Sequence, residues 1–346
     1  MVTALNYTLP VEQTQWHVDG PAETVLLWDY DEPRGELLSL YDKGKRQQWD
    51  AAQRIDWHQD LDPENPMGLP DQAVMIYGSP FWEKMTGPEK RQFRQHVQAW
   101  QLSQFLHGEQ GALICASRIV QTAPDLDAKF YSATQVADEA RHVEAYARLL
   151  KEKFELAYPV NASLQTLLSQ AITDRRWDFT YLGMQILVEG LALASFQRLR
   201  DLAGNRLVRQ INAFVMQDEA RHVAFGRTVL RDLYPQLSAS ERAEREEFVI
   251  EASRLMYERL TGLEVLARLG LPVKECVAYI QGAPAMQQFR SFLFSRIVPT
   301  VRHIGLWSDK VQAAYQAMGV LGFAEVDADA MMAEDERIAA GLDNGA

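Results

Sequence analysis

The chain has 346 residues, 47% hydrophobic and 24% charged, with a net charge of −12, a composition that excludes disordered and fibrous classes and leaves ample apolar material for a core. The acidic balance and the lack of a basic block exclude a phosphate-backbone partner such as nucleic acid. Cys115 and Cys276 are far apart and outside any Cys-x-x-Cys pair, which excludes an iron–sulfur cluster or zinc ribbon; residues 1–13 lack the basic-then-apolar order of a signal peptide, and a cytoplasmic setting is expected.

Residues 1–85 read as an irregular N-terminal wrap rich in tryptophan (Trp16, Trp28, Trp49, Trp57 and Trp82), with one helix expected around Gly35 to Ile55. Thr86 and Glu89 have capping-box spacing with Pro88 in the first turn, so a long helix should start there and run to about Gln121, before Pro124. Further helices are expected at about Leu126 to Leu156, Ala162 to Gln170, Asp174 to Leu202 and Arg206 to Leu233, which makes 86–235 one helical bundle. Ser238 and Glu241 cap another helix reaching about Leu269, and two more helical stretches between Pro272 and Met318 complete a region of additional packing helices, 236–324. The acidic end, 325–346, reads as a frayed, solvated tail. The pattern holds no run of strands, and the fold class is all-α. Phe179 to Phe196 is long and apolar, but Gln185 and Glu189 near its middle mark a buried core helix and not a membrane span.

A repeat organises the bundle. Asp138-Glu139-Ala140-Arg141-His142 and Asp218-Glu219-Ala220-Arg221-His222 are identical over five residues and lie 80 positions apart; the same offset carries Glu109 onto Glu189, Ala112 onto Ala192 and Leu113 onto Leu193. The chain therefore contains two copies of one helix pair. Within each copy, 30 residues separate the lone glutamate from the motif glutamate. At about 1.5 Å of rise per residue, a descent, a short turn and a return bring both to one level. Glu139 with His142, and Glu219 with His222, are three apart and share a helix face.

Leu102, Phe105, Leu106, Ala112, Leu113 and Ala116 share the face of Glu109, and Leu182, Gln185, Ile186, Ala192, Leu193 and Phe196 that of Glu189. Both glutamates thus point into apolar core. Buried carboxylates cost several kcal/mol each without partners, and four together repel one another. Two divalent cations offset four negative charges, and two neutral imidazoles complete the sites, so Glu109, Glu139, His142, Glu189, Glu219 and His222 are the expected metal ligands. Carboxylate-rich ligation favours iron or manganese over copper or zinc. His17, His58, His96, His107 and His303 are left as ordinary histidines.

With two lone glutamates and two Glu-x-x-His pairs, the sequence resembles the ferritin-like di-iron carboxylate superfamily: ribonucleotide reductase small subunits, bacterial multicomponent monooxygenase hydroxylases, acyl-carrier-protein desaturases and arylamine N-oxygenases. The resemblance covers roughly 89–235 and implies a ferritin-like four-helix bundle. By analogy with the hydroxylases, Asp138 would accept from His222 and Asp218 from His142, with Arg141 and Arg221 balancing the aspartates. Some family features are missing. The additional histidine that arylamine N-oxygenases carry four residues before the last ligand glutamate is Val215 here, and the threonine that hydroxylases and desaturases place after the third-helix glutamate is replaced by Leu193 and Ala192. Tyr146 falls where reductase small subunits carry a radical tyrosine and where desaturases also have tyrosine; a catalytic role and core or pocket packing both remain open for it.

What the resemblance implies is an O2-dependent oxidoreductase with two iron ions, manganese being the alternative at either site, bridged by the catalytic glutamates Glu139 and Glu219. A small organic or acyl substrate, free or carrier-bound, would be oxidised in an apolar pocket lined by Phe105, Gly108, Ala112, Tyr146, Ala192, Leu193 and Phe196. No nicotinamide or flavin fingerprint is present, so an external reductase or ferredoxin is the expected electron donor. A homodimer is expected. The alternatives are a radical or metal-bound protein like a reductase small subunit, and a ferroxidase or iron store.

Overall fold

The computed structural model describes residues 6–8, 18, 24–26, 35–258 and 260–344. Trp16, His17 and Trp28 lie outside the described residues. Helix α1 (Gly35–Arg46) precedes the bundle helices α2 (Gly87–Thr122), α3 (Leu126–Leu149), α4 (Ala162–Thr173), α5 (Trp177–Leu202) and α6 (Arg206–Leu233). Helices α2 and α3 pack as one pair and α5 and α6 as the other, with α1 laid against α3 and α6.

The ends of these helices follow local chemistry. Thr86 and Glu89 form the capping box at the start of α2, Asp125 Oδ1 accepts from Ala128 N at 2.7 Å to begin α3, and Asn205 accepts from Val208 N to begin α6. Helix α5 starts three residues later than Asp174, because the Asp174 carboxylate accepts the Arg176 backbone N–H at 2.9 Å and holds that residue outside the helix. Tyr181–Val188 within α5 is wound as a π segment. Such segments insert an extra residue per turn and recur at functional sites.

The expected helix from Ser238 to Leu269 is instead two, α7 (Ala239–Glu258) and α8 (Leu263–Arg268). Gly262 takes a left-handed conformation, φ 59°, that a residue with a Cβ resists, and this breaks the helix. The two stretches expected between Pro272 and Met318 are four: α9 (Val273–Gly282), α10 (Pro284–Leu293), α11 (Ile297–His303) and α12 (Asp309–Ala317). The expected helix from Gly35 to Ile55 is also split, since Asp50 N-caps a separate turn at Ala51–Arg54. Among the described residues, strand structure is limited to the two-residue β1 (Asn6–Tyr7) beside β2 (Leu156–Ala157), paired in parallel.

The acidic end forms α13 (Ala328–Asn344) packed on α6, where a frayed tail was expected. Asp335 is buried between Arg296, at 2.8 Å, and Arg200, at 3.4 Å. Local composition conceals this, because both partners lie far away in sequence. Helix α5 is long and apolar enough to cross a membrane, yet 94% of its most apolar window is buried inside the protein, which makes it the core helix expected of Phe179 to Phe196.

Two apolar clusters fill the bundle. One contains Ala112, Cys115, Tyr131, Ile186 and Phe225, and the other Leu102, Tyr146, Leu193, Phe196 and Val215. On each of the four long helices the candidate ligands, Glu109, Glu139 with His142, Glu189, and Glu219 with His222, fall between a member of one cluster and a member of the other, so a polar layer crosses the middle of the bundle.

Candidate di-metal centre

The repeat brings its residues together. Glu109, Glu139, His142 and Glu219 form one group and Glu139, Glu189, Glu219 and His222 a second, the ligand atoms of each lying within 4.8 Å of one another. Glu139 and Glu219 belong to both groups. All six side chains are buried, Glu109 being the most open at 5% exposed.

Each imidazole turns one nitrogen to the carboxylates and the other away. His142 Nδ1 stands 3.2 Å from Glu109, 3.4 Å from Glu139 and 3.2 Å from Glu219, and His222 Nδ1 stands 3.0 Å from Glu139 and 3.5 Å from Glu219. Behind them, His142 Nε2 meets Asp218 at 3.1 Å and His222 Nε2 meets Asp138 at 3.2 Å. Donation from Nε2 to an aspartate fixes the tautomer and leaves the Nδ1 lone pair facing the carboxylates. Arg141 bridges Asp138 at 2.5 Å and Asp218 at 2.8 Å; Arg221 pairs with Asp218 and lies 3.4 Å from Asp138.

This arrangement fits a pair of cations. Glu139 Oε2, Glu189 Oε2, both Glu219 oxygens and His222 Nδ1 are buried without a hydrogen-bond partner. Such groups are costly to bury unless an ion satisfies them. Burial, then Glu219, push the Glu109 and Glu189 carboxyls well above the ordinary range. Burial alone would raise Glu139 too, but His222 and His142 hold it below. Burial would lower both imidazoles, yet the surrounding carboxylates raise them well above the ordinary value.

Several residues at the site were not read from the sequence. Gln135 donates its amide to Glu139 at 3.1 Å and Glu189 at 3.0 Å, while its oxygen accepts from Gln185 at 2.9 Å. The loop after α1 also reaches the outer face of the site: Gln48 donates to Asp138 at 2.7 Å, Trp49 Nε1 to Asp218 at 2.8 Å, and Gln47 accepts from Arg221 at 2.7 Å. Gln135 could have been found, since it lies one turn before Glu139 on the same face. The loop carries no such periodic signal.

The same residues show where the repeat is broken. The 80-residue offset sets Gln135 against Val215, Gln185 against Phe105 and Gly226 against Tyr146. In one half Phe105 and Tyr146 are in ring contact, with centroids 5.6 Å apart. In the other half the amide of Gln185 occupies the corresponding place, and a Cβ on Gly226 would stand 2.7 Å from Gln185 Cβ. Gly226→Ala is therefore expected to lower stability by about 1–3 kcal/mol through overpacking, read from the denaturant midpoint; an unchanged midpoint would show that Gln185 moves freely.

Of the expected pocket residues, Phe105, Gly108, Ala112, Ala192 and Phe196 line a cavity of about 30 Å3 against Glu109, Glu189 and Glu219. Leu193 and Tyr146 do not line it. Leu193 packs into the neighbouring apolar cluster, and the Tyr146 ring stacks on Phe196 while its hydroxyl donates to Asn212 at 3.1 Å. A larger cavity, about 390 Å3, lies next to the small one and shares Gln104, Phe105 and Leu191 with it. Of the histidines left aside, His96 Nδ1 lies 2.6 Å from the Tyr158 hydroxyl and His107 Nε2 2.8 Å from the Tyr158 carbonyl.

A helical bundle crossed by four glutamates and two aspartate-backed histidines defines a ferritin-like di-iron carboxylate oxidoreductase, a class that uses O2. Among curated proteins no sequence matches the chain. The family model of the P-aminobenzoate N-oxygenase AurF matches residues 33–305, and the chain belongs to that family. Two solved structures are similar over 81% of this chain and 96% of theirs. They are an R2-like ligand-binding oxidase with aerobically reconstituted metal cofactor after photoconversion, 17% identical with a TM-score of 0.48, and a variant with an anaerobically reconstituted Mn/Fe cofactor, 18% identical with a TM-score of 0.49. Val215 stands where the resemblance placed an additional histidine, and it is fully buried in apolar surroundings.

Proposed function

We propose that this protein is a monooxygenase that transfers one atom of O2 to a small organic substrate, with an amino nitrogen as the atom oxidised, in keeping with the N-oxygenase name of its family. The observation that carries the reading is the junction of the two cavities: the small one touches Glu109, Glu189 and Glu219, and across Gln104, Phe105 and Leu191 lies a chamber large enough for an organic molecule. Two ferrous ions held by Glu109, Glu139, His142, Glu189, Glu219 and His222 would supply electrons to O2. The chain does the remaining work. Asp138 and Asp218 hold the imidazoles with Nδ1 turned inward, and the Gln135 amide ties down one oxygen of Glu189 while the other stays free. Phe105 and Phe196, with ring centroids 4.8 Å apart, give the small cavity an apolar wall that keeps water from the cluster.

The second oxygen atom leaves as water, which requires two electrons and two protons from outside for each turnover; an external reductase or ferredoxin fills that role. The reduced, iron-loaded protein should be given 18O2 and a panel of amines, acids and acyl compounds, with products read by mass spectrometry. Gain of one labelled oxygen supports the proposal. Loss of two hydrogens would make the protein a desaturase, and growth of an iron core without product would make it a ferroxidase. Ala192→Phe is expected to fill the small cavity and slow product formation at least about tenfold while two ions still bind, because it occupies substrate space without removing a ligand. Equal losses in metal binding and turnover would make Ala192 a packing residue.

A further inference from the structure

Two glutamines cross the bundle core beside the metal ligands. Gln135 and Gln185 are both fully buried, whereas the 80-residue offset sets the apolar Val215 and Phe105 in the matching places. A buried amide is costly unless its polar atoms are satisfied, and one half of the centre does without the pair. Gln135, Glu139 and His142 follow one another at i, i+4 and i+7 on α3, so the three share the face turned to the cluster.

The end of the Gln135 amide that faces the cluster stands 3.1 Å from Glu139 Oε1 and 3.0 Å from Glu189 Oε1. His222 Nδ1 stands 3.0 Å from that same Glu139 oxygen. In an octahedral site with bonds of about 2.1 Å, neighbouring ligands lie about 3.0 Å apart. The Gln135 side chain therefore ends where a further ligand of the Glu189–His222 ion belongs, at the spacing His222 itself keeps from Glu139. Charge decides which end of the amide faces inward: clustered carboxylates draw the NH2 group, and a cation held among them draws the oxygen. A half-turn of the amide exchanges the two. Gln185 can follow that turn. It donates to the Gln135 oxygen at 2.9 Å while its own Oε1 has no partner, so reversing both amides keeps the bond between them.

We infer that the Gln135 carboxamide oxygen is a seventh protein ligand, bound to the ion that Glu189 and His222 hold, with Gln185 accepting from its NH2 group. A neutral oxygen suits the same hard cations as a carboxylate does, and it adds no charge to a set that two divalent ions already balance. The two ions are thereby unequal: Val215 offers no such ligand to the ion on Glu109 and His142, which keeps the more open coordination. The inference rests on the di-metal centre and not on the reaction proposed for it.

The direct test is a crystal structure of the protein loaded with ferrous iron and kept free of O2, with the ions located by anomalous scattering. The Gln135 oxygen should lie about 2.1 Å from the ion beside Glu189 and His222. Two bound ions with the Gln135 amide still donating to Glu139 and Glu189 would overturn this inference alone, and no ion beside Glu189 and His222 would overturn the di-metal centre with it. Calorimetric titration with ferrous iron gives a second readout. Gln135→Leu should weaken one of the two binding steps at least about tenfold and leave the other within about threefold. Gln135→Glu, which supplies an oxygen but no N–H, should hold both ions; binding as weak as that of Gln135→Leu would show that donation, not ligation, is what Gln135 contributes. The structure of the unaltered protein decides the matter even if a variant fails to fold.

Discussion

Replacement of Glu109 or Glu189 by alanine should reduce bound iron from two ions per chain to at most one, because each belongs to a single group of ligands while Glu139 and Glu219 are shared by both. The variants should differ in one respect. Glu109 is tied only to His142 Nδ1, at 3.2 Å, which would turn to a bound ion, so its removal frees no other polar group. Removal of Glu189 leaves the Gln135 amide with Glu139 alone. Without metal, Glu109→Ala should be at least as stable as the unaltered protein, since one of four mutually repelling buried carboxylates is gone. With metal the order should reverse, because ligand binding adds about 4 kcal/mol at a thousandfold excess over the dissociation constant, and the variant forgoes part of that. Metal analysis after anaerobic reconstitution, with thermal unfolding of both forms, tests this. Binding of one ion or none by the unaltered protein would remove the di-metal assignment.

Asp218→Ala should be the most damaging change outside the ligands. The sequence alone suggests a weakened metal site with helical content almost intact. The structure adds a second cost: Asp218 is fully buried and accepts from Arg141, Arg221, Trp49 and His142 together. Removing one member of a buried ion-pair network leaves its partners uncompensated, at about 3–5 kcal/mol, and loss of the histidine's aspartate lowers metal affinity about 10–100-fold. Asp218→Asn retains the shape and an acceptor, and should recover part of the stability without restoring full metal affinity. Urea denaturation and a competitive metal titration read the two effects separately. Unchanged affinity in Asp218→Asn would show that the aspartate serves folding only.

The described bundle follows the order expected from helix caps and apolar periodicity, and α6 begins and ends where Gly204 and Pro235 indicate. That was legible because capping and 3.6-residue periodicity are local. The departures have causes a local reading cannot weigh. The break at Gly262 depends on a left-handed turn, and the buried Asp335 in α13 depends on two arginines from other helices.

For the site, the repeat alone determined which side chains would gather: equal spacing along paired antiparallel helices puts four glutamates and two histidines on one level, and the spacing is written in the chain. Tertiary structure alone decided what surrounds them. Gln47, Gln48 and Trp49 close the outer face from a loop whose path has no periodic signature, and Gln135 is aimed by Gln185 across two helices. The cavities followed the same rule. The sequence alone puts Tyr146 and Leu193 among the pocket residues, but the side that opens is set by how α2, α5 and α10 pack, which leaves space beside Phe105 and Arg198 and fills it around Tyr146. Empty space is a property of packing among distant segments, and no single stretch of sequence encodes it.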